Sequence, residues 1–245
     1  MEALTMALPL WGLVFARAVG VALLVPPSGV RQVPVSIRFG AAAVIAVPLY
    51  YVAGESVPAT ADLATYALWV ARNLVVGMVL GGAVAAVVWA SAMAGTYADR
   101  LAGWWAAPTE AGPIGSIFYF LCATIFVLID GHHAVLAALA GSFQAVPAGP
   151  GALAGLAREA LILLPGRMFA ASLLIAAPAL LAVLIARALL AVAERVSVEL
   201  ASSGLNAVTA PLVVYVAVIA ALPAVAYVAL EQFRVVLEQV ALLIG

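Results

Sequence analysis

Charge is confined to short intervals of this sequence, and the gaps between them are long. Residues 73–98, 111–129, 131–157, 168–186 and 200–230 contain no Asp, Glu, Lys or Arg. Residues 3–30 are broken only by Arg17, and residues 39–54 form a shorter uncharged run. A helix needs about 20 predominantly apolar residues to cross a hydrocarbon core. The pattern therefore predicts an all-α, polytopic membrane-class protein of roughly six to seven long, kinked hydrophobic helices arranged as hairpins. The strand alternation of an outer-membrane barrel is absent.

Composition agrees with that reading. The chain is 67% hydrophobic and 9% charged, whereas a soluble domain is about 45–50% apolar and about 25% charged. This excludes a soluble enzyme built on one core. The ten basic residues are all Arg, against eleven acids, for a net charge of −1. So neutral a balance excludes electrostatic nucleic-acid binding, which needs a clustered basic surface. A single cysteine, Cys122, excludes an internal disulfide and any multi-thiolate metal site.

The N-terminal stretch has Glu2, no basic n-region, and Arg17 inside its apolar run, so residues 1–25 are expected to be a mature helix rather than a signal peptide. The polar-leaning connections, residues 26–38, 54–62, 99–113 and 194–206, are short. Arg31 and Arg38 make the first basic, while Glu55 and Asp62 make the second acidic, which would put the first in the cytoplasm. Alanine is abundant and 20 glycines accompany it. Such a surface suits close helix–helix contact, although a GC-rich genome that swaps Leu for Ala and Lys for Arg gives the same bias.

Candidate chemistry is sparse. Asp130-Gly131-His132-His133 is the one place where metal ligands cluster. Adjacent helical histidines point about 100° apart, so the expectation is a helix start, with Asp130 capping and Gly131 turning, and no metal site. No G-x-S-x-G is present, and Gly77-x-x-x-Gly81-Gly82 has no Lys–Ser/Thr after it, so neither a serine hydrolase nor a phosphate loop is indicated. The glycine spacing reads as a helix–helix seam. No catalytic residue and no cofactor are expected.

Charges inside apolar runs are functional candidates by default. Arg17 is the cleanest, while Arg72 and Arg187 sit near helix ends, where snorkelling accounts for a charge. Acids lie only at the margins of the runs, which argues against a proton relay. Residues 103–113 carry Gly103, Trp104, Trp105, Pro108, Glu110, Gly112 and Pro113 and interrupt a long helical hairpin. Two readings stay open: an interfacial loop with a Trp anchor, and non-helical backbone at membrane depth, buried in protein or lining an aqueous path.

Taken in order, these residues resemble the FliR/SctT family, the type III secretion export-gate subunits. Arg17, Pro26, Pro34, Arg38 and Gly40 reproduce its opening. Gly77 and Gly81, then Ala94-Gly95 and Asp99, precede an irregular loop as in the family. A long apolar helix ending in Asp130, Gly131, His132 and His133 follows, then Ser142-Phe143 and Val146-Pro147. Asn206 with Pro211-Leu212 is similar to the family's final signature. The Gly-His-His ending and the Ser-Phe…Pro after it look more like the flagellar branch than the virulence branch.

The resemblance implies a single export-gate domain over residues 1–245. Its parts would be an N-terminal hairpin at about 3–53, a central hairpin with a plug-like loop at about 61–146, and C-terminal helices at about 156–243. It implies a non-enzymatic structural and gating subunit of a channel that passes unfolded proteins across the bacterial inner membrane, within the flagellar or injectisome basal body. The partners it implies are FliP/SctR-type and FliQ/SctS-type subunits, an FlhB/SctU-type switch protein and the exported polypeptides. By the same resemblance, residues 103–113 sit where the family has its plug. The chain departs from the family at Ala107-Pro108, where an Asp-Pro is usual, and at Asn73, where an acid commonly stands. A small secondary transporter or channel is the alternative, but it calls for inverted repeats or midspan polar groups, and no repeat relates the halves.

Overall fold

The computed structural model describes residues 2–25, 33–54, 62–101, 112–150, 155–196 and 206–242. Among these residues all regular structure is helical: α1 (Glu2–Leu24), α2 (Val35–Ala53), α3 (Leu63–Leu101), α4 (Pro113–Leu128), α5 (Gly131–Ala145), α6 (Gly155–Val196) and α7 (Asn206–Leu242).

Local chemistry accounts for several boundaries. Pro34, at φ −54° and ψ 141°, opens α2, and its carbonyl accepts the Ile37 N–H at 3.0 Å. Gly54 closes that helix at φ 60°, the left-handed conformation common at helix C-termini, which glycine adopts without a Cβ penalty. Pro113 occupies the first turn of α4 after Gly112, where its missing N–H costs nothing. Pro9, Pro48, Pro211 and Pro223 lie inside helices, and each removes one intrahelical hydrogen bond.

Seven helices are described, and among the described residues length and apolar composition mark some of them as candidate membrane spans. Four are long and apolar enough to cross a membrane, at Val35–Ala53, Leu63–Leu101, Phe169–Ala193 and Pro211–Glu238, and counting α4 with α5 as one broken span gives up to five. The uncharged run that leads into Asp130 thus does not continue as one straight helix. Asp130 adopts φ 55° and ends it. Asp tolerates this left-handed conformation better than most residues. The expected roles at this turn are corrected accordingly. Asp130 makes the turn and forms no side-chain cap, while Gly131 is the buried first residue of α5.

The chain forms two compact units: Met1–Ala85 with Asp130–Gly166 and Arg234–Gly245, and Ala86–Ile129 with Arg167–Phe233. In the first, α1 packs on α2, and Leu13, Val14, Ala42, Ala46, Leu139 and Phe143 are buried. Trp11 stacks on Phe15 at 5.1 Å between ring centroids. In the second, Phe118, Phe126, Ile175, Val183, Val225 and Phe233 are buried, with Phe126 and Phe233 rings 5.7 Å apart.

Burial separates the helices by role. Within the chain 67% of the apolar window of α3 is buried, against 17% for α2 and 22% for α7. α3 is therefore a core helix. α2, α6 and α7 turn Val44, Tyr51, Leu184, Leu189, Val216 and Ile219 outward, and large exposed apolar side chains in such number mark surfaces that pack on lipid or on partners.

Candidate functional site

A glycine seam sets the first polar site. A Cβ on Gly77 would overlap the Arg17 carbonyl oxygen, one on Gly20 would overlap the Leu74 carbonyl oxygen, and one on Gly81 would come within 2.8 Å of the Val21 carbonyl oxygen. α1 and α3 therefore touch backbone to backbone, the approach that small residues permit. Gly82, next in the run, meets only the Leu24 side chain, at an ordinary 3.6 Å.

This approach carries Arg17 against Asn73, which lies one turn before Gly77. Arg17 is fully buried. Its Nε and Nη2 both donate to Asn73 Oδ1, at 2.9 and 2.6 Å. Nη1 donates to Ser142 Oγ at 3.0 Å, and Nη2 also donates to the Val146 carbonyl at 2.7 Å. The guanidinium lies 4.1 Å from the centre of the Phe143 ring, within cation–π range. These partners are all neutral, so they hold the charge through dipoles and a ring face. Such hydrogen bonds to a charged group contribute about 1.5–3 kcal/mol each.

The rest of the network fixes those acceptors. Asn73 Nδ2 donates to the carbonyls of Trp69 at 2.8 Å and Ala148 at 2.9 Å, which orients its oxygen toward Arg17. Ser142 donates to the Leu139 carbonyl at 2.7 Å, leaving its oxygen to accept from Arg17. Arg72 donates to the carbonyls of Pro147, Ala148 and Gly149. It does not snorkel: α1 and α3 together clamp the segment that leaves α5.

The second polar site joins α3 to α4. Asp99 is 1% exposed. Its Oδ1 accepts the Ile114 N–H at 3.1 Å and its Oδ2 accepts the Gly115 N–H at 2.9 Å. Gly112 has no side chain to cap α4, so a carboxylate from the preceding helix satisfies two otherwise orphaned donors at its positive end. Close approach permits this. A Cβ on Gly95 would lie 2.6 Å from Gly115 Cα, and one on Gly112 would strike the Asp99 carboxylate. Further along, Ser91 Oγ donates to the Val88 carbonyl at 2.7 Å and the Phe118 carbonyl at 3.3 Å.

Of the residues that stand out in the sequence, Arg17, Gly77 and Ser142 thus meet in the first site, with Pro147 contributing a carbonyl. Asp99, Gly112 and Pro113 meet in the second. Arg38 reaches the Leu23 carbonyl at 3.5 Å. Gly40 faces open space, with nothing within 4 Å of the point a Cβ would occupy. Asp130, His132 and His133 are exposed and Gly131 is buried. Asn206 begins α7 and Pro211 lies within it. Pro26, Gly103, Trp104, Trp105, Pro108 and Glu110 lie outside the described residues.

Asn73, Gly20, Gly95 and Gly115 also belong to these sites; the sequence marks Asn73 only as a departure from the family and Gly95 only as part of its pattern, and it does not mark Gly20 or Gly115. A usable signal exists for the first two. Arg17 and Gly20 are one turn apart, as are Asn73 and Gly77, so each polar residue sits a turn from a seam glycine.

The residues of both polar sites fall within one family match. The family model described as bacterial export proteins, family 1, matches residues 8–236. No curated protein matches the chain.

Proposed function

The chain belongs to the bacterial export proteins, family 1, the FliR/SctT family, and is a membrane component of a bacterial type III export apparatus; on that premise we propose that it is a structural and gating subunit of the export channel. The reading takes the whole chain as one export-gate domain, of the flagellar branch. FliP/SctR-type and FliQ/SctS-type subunits pack on its outward apolar faces, an FlhB/SctU-type protein joins the assembly, and unfolded polypeptides are its cargo.

The observation that carries the gating role is the Asp99 clasp. Residues 102–111 are tethered at both ends by helices that one buried carboxylate and the Gly95–Gly115 approach hold together. A rigid neck of this kind is what a plug needs, because a plug must return to one position each time the channel closes. Trp104, Trp105 and Pro108 supply the bulk that blocks the path. A conductance assay on the reconstituted assembly tests the role: deleting residues 104–111 raises ion leakage, and unchanged leakage removes the plug from the account.

A further inference from the structure

The side chains of Asp130, His132 and His133 make none of the hydrogen bonds described in the two polar sites, and the proposed export role uses none of their chemistry. Each offers one ligand atom, and the three atoms lie within 4.8 Å of one another. His133 Nδ1 is 3.5 Å from Asp130 Oδ1. Two ligands at about 2.0–2.2 Å from a tetrahedral ion stand about 3.3–3.6 Å apart, so this pair already spans one edge of a coordination shell.

The divergence expected of adjacent helical histidines does not keep these apart. Their rings lie 4.2 Å apart, tilted by 37°, in the first turn of α5, which starts at Gly131. Asp130 is outside the helix, at φ 55°, and its backbone returns the carboxylate toward His133. All three residues are exposed, so drawing His132 in toward the other two needs a rotamer change and no movement of packed groups.

We propose that Asp130, His132 and His133 form a surface site for a borderline divalent transition-metal ion of the zinc, nickel and copper class. Two imidazoles and one carboxylate are the donors such ions prefer, and calcium and magnesium would choose an all-oxygen site. Water completes the shell. Bound metal links the left-handed turn residue to the first turn of α5 and stiffens that turn.

These are the two histidines of the chain, which makes the test specific. The full chain, purified in detergent through a tag without histidine, is loaded with one equivalent of Cu2+ and studied by pulsed electron paramagnetic resonance. Modulation from two imidazole nitrogens is expected; modulation from one or none overturns the site. Zn2+ titration against a chromophoric chelator should give one ion per chain with micromolar affinity. Loss of an outer-shell partner alone costs about 10–100-fold, so Asp130→Asn, His132→Gln and His133→Gln should each weaken binding at least about tenfold. Asn keeps the tolerance of the left-handed conformation, so Asp130→Asn leaves the turn intact. Millimolar affinity, or Zn2+ binding that survives His132→Gln with His133→Gln, also overturns it.

Discussion

Asn73 receives two hydrogen bonds from Arg17 through a single oxygen, at 2.9 and 2.6 Å, across 56 residues of sequence. An amide here does what a carboxylate would do for the guanidinium, and it does more. Its Nδ2 also donates to the Trp69 and Ala148 carbonyls, which a carboxylate cannot do. Asn73→Leu leaves a buried charge short of two hydrogen bonds and is expected to destabilise the chain by about 3–6 kcal/mol, at about 1.5–3 kcal/mol for each hydrogen bond to a charged group. Asn73→Asp keeps the acceptor and loses the donors, so it should cost less. Thermal unfolding of the two variants in one detergent checks the order; equal losses would contradict it.

The glycine seam separates two neighbouring positions. Gly77→Ala drives a methyl group into the Arg17 backbone, and overpacking of this kind costs about 1–3 kcal/mol. Gly82→Ala meets a flexible leucine at 3.6 Å, and in a helix Ala is favoured over Gly by about 0.8–1.0 kcal/mol. Unfolding measurements should show the first variant destabilised and the second unchanged or stabilised.

Gly40 offers a different comparison, because its surroundings within the chain are open. Gly40→Leu is expected to leave the stability of the isolated chain unchanged or raised. If α2 packs on a partner subunit there, the same variant lowers the yield of assembled complex. Full assembly with Gly40→Leu would remove that helix face from the interface.

Asp99→Ala removes both acceptors from the first turn of α4. Loss of a helix cap costs about 0.5–2 kcal/mol, which is roughly a factor of 2–30 in an opening equilibrium. Amide hydrogen exchange at Ile114 and Gly115 should accelerate by about that factor, with exchange at Phe126 unaffected.

Asp62 caps the start of α3 by accepting the Thr65 N–H at 3.3 Å. Hydrogen bonds from the Thr65 side chain and backbone hold its carboxyl below the ordinary aspartate value. A depressed pKa means that the folded state favours the ionised form. The contribution is therefore present above the ordinary aspartate pKa and is lost as pH falls through the lowered one. Exchange at Thr65 should rise relative to an Asp62→Asn control only in that acid window.

Much of the architecture follows from local pattern. Uncharged runs give helices, and glycine at one-turn spacing gives a seam, because both are properties of a single helix face. The polar sites follow less readily. Arg17 is conspicuous in an apolar run, yet its partner Ser142 lies 125 residues away, and nothing local to either specifies the pairing. Asn73 is conspicuous only as a departure from the acid common in the family, and its role emerges once the seam brings α1 onto α3. The turn at Asp130 misleads for a physical reason. Glycine is the usual choice for positive φ, but here Gly131 is the buried first residue of α5 and the aspartate before it takes the left-handed conformation.

The proposed role makes this chain one subunit of a multi-protein export gate. The most direct measurement is native mass spectrometry of the detergent-extracted complex after expression of the tagged chain with the neighbouring reading frames of its operon. A large hetero-oligomer holding this chain with FliP-like and FliQ-like subunits is expected. A stable monomer or homodimer, indifferent to those neighbours, would contradict it.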